Sequence, residues 1–190
     1  MGEQQATTTL VLAGASGVGK TSVGHRLADL LGWVFADGDE FHPPANVERM
    51  RLGHALTDED RRPWLRRLAE WVGEREAAGE NAVLTSSALK RAYRAELSAG
   101  HPSVLFVQLT ADPRTLTERL EQRRGHWMPA SLLPSQLRDL EPLATDENGI
   151  VQGSEGTPDE TARAVIRALG LDPGSQRPAR ATARQLRADH

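Results

Sequence analysis

The sequence feature that constrains this chain most is a glycine-rich segment close to its start. The segment consists of Gly14, Ala15, Ser16, Gly17, Val18, Gly19, Lys20 and Thr21. Two of its glycines stand five positions apart, directly before a lysine and a hydroxyl residue. An apolar run, Leu10 to Ala13, precedes the segment, and a stretch with helical spacing follows it. A turn of this composition between a strand and a helix is typical of phosphate-binding loops.

These residue types suit a nucleoside triphosphate. Glycines let main-chain N–H groups point into one concavity at a helix N-terminus, where an anionic phosphate is stabilised. Lys20 is then expected to reach the β- and γ-phosphates, and Thr21 to offer its hydroxyl to Mg²⁺. A glycine-rich turn could match the pattern by accident, but the strand before it and the helix after it favour nucleotide binding.

Short apolar runs alternate with helical stretches along the chain. Strands are predicted at 8–13, 33–36, 82–85 and 104–109, with a weak fifth strand from 150, and helices at 20–31, 90–97 and 157–169. Thr57, followed by three acidic residues, predicts the N-cap of a further long helix. The alternation predicts a three-layer α/β/α fold around a five-stranded parallel sheet, with ligands collecting at one edge.

The domain organisation follows from where this pattern stops. We expect a single domain over residues 1–171, with an acceptor-binding helical region at about 40–80 and a mobile lid at about 119–140. Residues 172–190 contain almost no large apolar side chain, which predicts a disordered tail.

Composition excludes several classes of function. The formal net charge of -3 and the pI near 6.1 argue against a nucleic-acid or membrane-surface binder, because such proteins usually carry a basic excess. The sequence has no cysteine, so disulfides, thiol catalysis and cysteine-ligated metals are excluded. No signal peptide and no membrane-spanning apolar stretch is visible, which predicts a cytoplasmic protein.

Acidic residues follow the second predicted strand, where open α/β sheets bind ligands. Asp37 and Asp39 are placed to help hold Mg²⁺, or to orient and deprotonate an acceptor hydroxyl beside the γ-phosphate. An Asp-Gly-Asp sequence is also common in ordinary turns, but the phosphate loop upstream favours function. His42 is a candidate to bond a substrate hydroxyl and is equally compatible with a structural role.

Cations follow the third predicted strand. Lys90 and Arg94 are four residues apart, a spacing that places them on one helix face, and we expect that face to point at the ligand edge. Arg49 could join them to hold an anionic, hydroxylated acceptor, since arginine binds a carboxylate bidentately. Each of these residues alone would more often be a solvated surface charge.

With these motifs the chain resembles the gluconate kinases. Besides the phosphate loop, the matching segments are Asp37-Gly38-Asp39-Glu40-Phe41-His42-Pro43, Asn46 to Met50, Gly53 to Leu56 with Asp58 and Asp60 to Leu65, Ser86 to Lys90 with Tyr93-Arg94, Arg123-Arg124-Gly125-His126 and Gln136-Leu137. The likeness covers roughly residues 8–169, and the Asp-Gly-Asp…His-Pro and Ser-Ala-Leu-Lys…Tyr-Arg pieces are more specific than the phosphate loop. Family members often carry an acidic residue where this chain has Gln152.

The resemblance implies ATP-dependent phosphorylation of D-gluconate at its 6-hydroxyl, a fold similar to that of nucleoside monophosphate kinases, and a homodimer. Asp39 would then activate the acceptor hydroxyl, while the gluconate carboxylate lies on some of Arg49, Lys90 and Arg94. If Lys90 and Arg94 turned away from the mouth occupied by Lys20, the sugar-acid assignment would fall and leave only a nucleotide binder of unknown purpose.

Arginines near the predicted lid are candidates for stabilising the transferred phosphoryl group. Arg119, Arg123 and Arg124 lie on a predicted helix that leads into the glycine- and proline-flanked stretch from Gly125 to Pro134. Arg123 and Arg124 are also expected to contact the nucleotide. The alternative is an exposed basic helix end favoured by the helix dipole.

Two other functions fit parts of the sequence. A kinase for another hydroxy acid, such as shikimate, is disfavoured because Ser-Ala-Leu-Lys stands where a glycine-rich turn would be expected. A nucleotide-dependent switch usually has an Asp at the end of an apolar strand for Mg²⁺, whereas the third strand here ends in Thr85-Ser86-Ser87.

Overall fold

The structure, a computed structural model that describes residues 7–122 and 129–173, is built around one parallel sheet. Its strands are β1 (Thr9–Ala13), β2 (Val34–Asp37), β3 (Ala82–Thr85), β4 (Val104–Thr110) and β5 (Gly149–Gly153). They lie in the order β2-β3-β1-β4-β5, and every neighbouring pair is parallel. The predicted α/β class and five-stranded parallel sheet are confirmed.

The helices are α1 (Lys20–Leu31), α2 (Pro44–Arg51), α3 (Asp58–Ala78), α4 (Arg91–Ser98), α5 (Pro113–Gln122), α6 (Leu133–Asp139) and α7 (Pro158–Ala168). Short 3-10 helices occupy Gly38–Phe41 and Ala130–Leu132. Local chemistry explains where the longer ones begin. Thr57 and Asp60 form a capping box at the start of α3, and Thr157 and Glu160 form another at α7, so two predicted N-caps are confirmed.

Side-chain alternation along β1 divides the core into two layers. Leu10 and Leu12 pack on one face of the sheet with residues of α1 and α7. Val11 faces the other way, into a cluster that includes Trp64 and Leu65 of α3. Because both faces of β1 are covered, all of its residues are buried, as expected for the centre of a three-layer fold.

A small third cluster joins the acceptor region to the segment before α6. Met50 of α2, Leu56 of the loop before α3 and Leu132 pack against one another and are buried. The predicted lid therefore shares apolar contacts, through Leu132, with the region predicted to bind the acceptor.

Gly38 positions the start of the acceptor region. A Cβ built on this residue would lie 2.0 Å from the main-chain oxygen of Thr85, so only glycine permits this close approach to β3. The indole Nε1 of Trp64 donates to the Gly38 oxygen at 2.7 Å, which fixes the same turn from α3. The chain after β2 is thereby held against the end of β3.

Several predictions fall partly or wholly outside the described residues. Residues 123–128 of the predicted lid and 174–190 of the predicted tail are among them, so the mobility of the lid and the disorder of the tail remain predictions. Within the described residues, no helix is long and apolar enough to cross a membrane.

Replacing Gly38 by alanine should lower the free energy of unfolding by about 3 kcal/mol, because the new methyl group forces the main chain away from Thr85. Urea unfolding measures this. Gly73→Ala in α3 is the control, since its methyl group meets only the ring of His101 and should change stability little. Equal stability of the two variants would contradict the account.

Candidate active site

The phosphate loop joins β1 to α1 as the sequence predicts. Gly14, Gly17 and Gly19 have positive φ angles, a conformation that L side chains rarely adopt. The Nζ of Lys20 donates to the main-chain oxygens of Gly14 at 2.9 Å and Ala15 at 3.1 Å, so the ammonium group lies across the mouth of the loop. This is the strand, loop and helix arrangement in which main-chain amides bind a phosphate.

Gln136 of α6 contacts the phosphate loop directly. Its side-chain oxygen accepts from the main-chain N–H of Ser16 at 2.7 Å, and the side chain is buried. No role for Gln136 was predicted, although it lies in the Gln136-Leu137 segment that matches the family. An amide of the phosphate loop is therefore bonded to a side chain 120 positions away in the sequence.

Asp37 connects the phosphate loop to the acceptor side. Its carboxylate accepts from the hydroxyl of Thr21 at 3.0 Å and from the hydroxyl of Thr85 at 2.8 Å. It also accepts from the main-chain N–H of Asp39 at 3.1 Å, which caps the 3-10 helix that carries Asp39. Two of the three residues predicted to hold a metal, Thr21 and Asp37, are thus in direct contact.

The oxygen atoms of this group suit Mg²⁺, which prefers oxygen ligands and usually takes few from the protein. Among residues 7–122 and 129–173, no cluster of three or more His, Cys, Asp or Glu could hold a metal by itself. A hydroxyl and one or two carboxylates beside a phosphate site fit an ion that shares its ligands with a nucleotide.

One cleft of about 210 Å³ brings several predicted residues together. Its walls include Lys20, Thr21, Asp37, Asp39 and Arg119. Candidate residues for phosphate binding, metal binding and acceptor activation therefore share one space at the carboxyl ends of β1, β2 and β3, where ligands are expected in such sheets.

Arg119 also lines a second cleft, of about 200 Å³, on the other side of the phosphate loop. Its guanidinium donates to the main-chain oxygen of Ser154 at 2.7 Å. The hydroxyl of Ser154 lies 2.8 Å from the main-chain oxygen of Val18 and 3.1 Å from that of Thr110, and its one proton is shared between them. Sequence reasoning missed Ser154, because its role depends on strands that are distant along the chain.

His42 follows the 3-10 helix and is buried. Its ring stacks on Trp64 with 4.4 Å between centroids and an interplanar angle of 10°. Burial, with a smaller contribution from the charge of Arg61, lowers the pKa of His42 to about 4. The imidazole is therefore neutral near pH 7, and its Nδ1 has no hydrogen-bond partner within the described part of the chain.

Arg49 and Lys90 lie on the acceptor side but already have acidic neighbours. Arg49 is half exposed, and its Nε lies 3.7 Å from a carboxylate oxygen of Asp60. The Nζ of Lys90 donates to Asp58 at 2.9 Å, which raises the pKa of the lysine. Lys90 is the N-cap of α4 and not part of its helical face. Among the described residues, the wall of the first cleft includes neither cation.

The prediction that Arg94 binds the substrate is wrong. Its side chain is fully buried and forms a salt bridge with Glu147, with Nε 2.6 Å from Oε1. Its remaining donors bond Glu147 again and the main-chain oxygens of Ala88, Leu89, Glu141 and Pro142. With every donor used inside the protein, Arg94 anchors the segment before β5 to α4 and does not face a ligand.

Arg123 and Arg124 lie outside the described residues, so their predicted contacts with the nucleotide and the transferred group are not tested.

Comparisons with known proteins agree with this geometry. A family model described as an AAA domain matches residues 10–143. A gluconokinase of Gluconobacter oxydans is 49% identical over 158 residues, which cover 83% of this chain and 89% of that protein. The chain belongs to the gluconokinase family.

Solved structures of the same kind superpose on most of the gluconokinase-family chain. A sugar kinase from a Janibacter species has a TM-score of 0.83 and 46% identity and covers 88% of this chain and 96% of its own. A gluconokinase from Sinorhizobium meliloti has a TM-score of 0.75 and 38% identity, covering 86% and 91%. The recognition of the family from its sequence motifs is confirmed.

Arg94→Met should lower the free energy of unfolding by about 3–5 kcal/mol, because it leaves Glu147 nearly buried without its cation. Arg91→Gln is the matched control on the same helix, since its salt bridge with Asp146 is exposed and its loss should change stability little. Chemical denaturation of both variants measures the difference. An Arg94 variant as stable as the wild type would restore it as a candidate for ligand binding.

The lowered pKa of His42 predicts a pH-dependent stability. Between pH 6.5 and about 4 the unfolded chain binds a proton at this residue and the folded protein does not, so stability falls as the pH is lowered. The loss over this window should be about 3 kcal/mol. The free energy of unfolding of the wild type and of His42→Asn, measured across this pH range, isolates the effect. If the two plots of free energy against pH were parallel, the pKa of His42 would not be lowered in the folded protein.

Proposed function

We propose that this chain is a gluconokinase that transfers the γ-phosphoryl group of ATP to the 6-hydroxyl of D-gluconate and releases 6-phospho-D-gluconate and ADP. The observation that carries the proposal is the single cleft shared by Lys20, Thr21, Asp37 and Asp39, in a chain whose relatives over most of its length are gluconokinases.

The nucleotide would lie along the phosphate loop. Main-chain amides of residues 14–21 and the ammonium group of Lys20 bind the phosphates, so Lys20 must exchange its bonds to Gly14 and Ala15 for bonds to phosphate oxygens. The second cleft, between Val18 and Pro158, has room beyond the loop for the nucleoside. Arg119 lines both clefts and is positioned between the two ends of the nucleotide.

Thr21 and Asp37 would hold Mg²⁺, with Asp39 close by in the same cleft. When bound, the ion supplies charge neutralisation for the phosphates. The hydroxyl of Thr21 donates to Asp37, so the two groups that would hold the ion already lie side by side. Thr85 holds the other oxygen of Asp37 and keeps the carboxylate in place.

Asp39 acts on the acceptor. Its carboxylate accepts the proton of the 6-hydroxyl as the oxygen bonds to the γ-phosphorus, and the bond from that phosphorus to the bridging oxygen of ADP breaks. Lys20 stabilises the negative charge that develops on the transferred group. A role for Arg123 in the same stabilisation remains a prediction, as do the homodimer and the cytoplasmic location.

The acceptor dependence of ATP turnover tests this function. D-gluconate should stimulate ADP formation strongly, whereas shikimate and other hydroxy acids should stimulate it weakly, because a kinase turns over only when its own acceptor is present. ADP release measured with each acceptor decides between the classes. Equal turnover with and without every acid would indicate a regulatory ATPase, and preference for shikimate would indicate the other kinase.

Asp39→Asn should lower kcat by about 10²–10⁴-fold and change ATP affinity little, because the amide cannot accept the hydroxyl proton. Steady-state kinetics and nucleotide titration measure the two quantities. Asp29→Asn on the exposed side of α1 is the control and should behave as the wild type. Equal losses of rate and nucleotide affinity would show that Asp39 has only a structural role.

A further inference from the structure

Arg61 of α3 is a buried cation without a bonded anion. Its side chain is only 7% exposed, and its Nε is buried without a hydrogen-bond partner among residues 7–122 and 129–173. Over the same residues, its guanidinium forms no salt bridge. Arg94 is also buried, but all of its N–H donors are bonded within the protein. Arg61 differs because it keeps a donor that can bind a ligand.

The nearest acidic residues do not neutralise Arg61. Asp58 accepts from Lys90 at 2.9 Å and from the hydroxyl of Tyr93. Asp60 accepts from the main-chain N–H of Thr57 at 2.9 Å and is used in the capping box of α3. The charge of Arg61 helps to lower the pKa of both carboxyl groups, but neither carboxylate is bonded to its guanidinium.

A guanidinium taken out of water loses its hydration, and this loss is costly unless hydrogen bonds or an anion replace it. Arg61 receives partial compensation from the ring of Tyr93, whose centroid is 5.4 Å from the guanidinium carbon. A ring face accepts no in-plane N–H bond, so the buried Nε of Arg61 still lacks an acceptor among the described residues. An incoming carboxylate would supply one.

The surroundings of Arg61 lead toward the reacting end of the site. Its charge reaches the imidazole of His42, and that ring also has a buried nitrogen without a partner in the described ranges. His42 follows directly on the 3-10 helix that carries Asp39, and Asp39 lines the cleft with Lys20. Arg61 and His42 therefore each hold a buried nitrogen without a partner in the described ranges, and His42 adjoins the element that carries Asp39.

We infer that Arg61 binds the carboxylate of the acceptor and so makes the enzyme select sugar acids over uncharged polyols. The inference rests on the proposed function and names the residue that recognises the acid group. Gluconate carries its carboxylate on C1 and the reacting hydroxyl on C6, at opposite ends of one carbon chain. The charge of Arg61 acts on His42, which follows the 3-10 helix of Asp39. In this proposal Arg61 binds the carboxylate at C1, and Asp39 accepts the proton of the hydroxyl at C6.

Arg61→Gln should raise the KM for D-gluconate by about 30- to 100-fold, because a charge-assisted pair of hydrogen bonds is lost. The KM for ATP should stay within about twofold of the wild-type value. The preference for D-gluconate over D-glucitol, an uncharged polyol of the same length, should shrink by a similar factor. Arg62→Gln, an exposed neighbour on the same helix, is the control and should leave all three quantities unchanged.

Arg61→Lys keeps the charge but loses the planar pair of donors, so its KM for gluconate should rise about tenfold. Melting temperatures establish whether each variant is folded. If Arg61→Gln does not fold, the gluconate KM of Arg61→Lys tests the inference. The inference would be overturned if a folded Arg61 variant kept the wild-type KM for gluconate. It would also be overturned if activity with gluconate and with glucitol fell by the same factor. Failure of gluconate to stimulate the wild-type enzyme would instead overturn the proposed function.

Discussion

The carboxylate of Asp37 is the contact on which the rest of the site depends. It accepts from Thr21 after the phosphate loop, from Thr85 at the end of β3 and from the main-chain amide of Asp39. These bonds join the nucleotide side to the acceptor side across the carboxyl ends of three strands. They require the chain to turn against β3 without a side chain at position 38, so the geometry of the site and the fold of the sheet edge are fixed together.

The parts of this structure that local chemistry determines could be predicted from the sequence. The phosphate loop, the parallel strands and the N-caps at Thr57 and Thr157 are set by neighbouring residues, and the structure has them where expected. Arg94 could not be assigned correctly, because its partner Glu147 lies 53 positions away and only the folded chain brings them together. The contact of Gln136 with the phosphate loop depends on distant packing in the same way.

Because Arg94 does not face a ligand, a different residue must recognise the acceptor, but the expected acceptor is still gluconate. Lys90 and Arg94 were predicted to bind the acceptor as a pair, but Lys90 has Asp58 as an acidic neighbour and Arg94 is buried against Glu147. The assignment to gluconate now depends on the family, which is shown over most of the chain, and on the cleft that joins Lys20 to Asp39. In the proposal made above, Arg61 has the carboxylate-binding role that was predicted from the sequence for Arg94.

The central claim is that the cleft couples triphosphate cleavage to one hydroxyl of one sugar acid. The most direct measurement is the product formed by the purified protein from ATP, Mg²⁺ and D-gluconate, followed by ³¹P–¹H correlation NMR and by ADP release in the same sample. The account predicts one 6-phospho-D-gluconate for each ADP, with the phosphorus coupled to the protons on C6. Free phosphate in place of the sugar phosphate, or phosphorylation at another carbon, would contradict it.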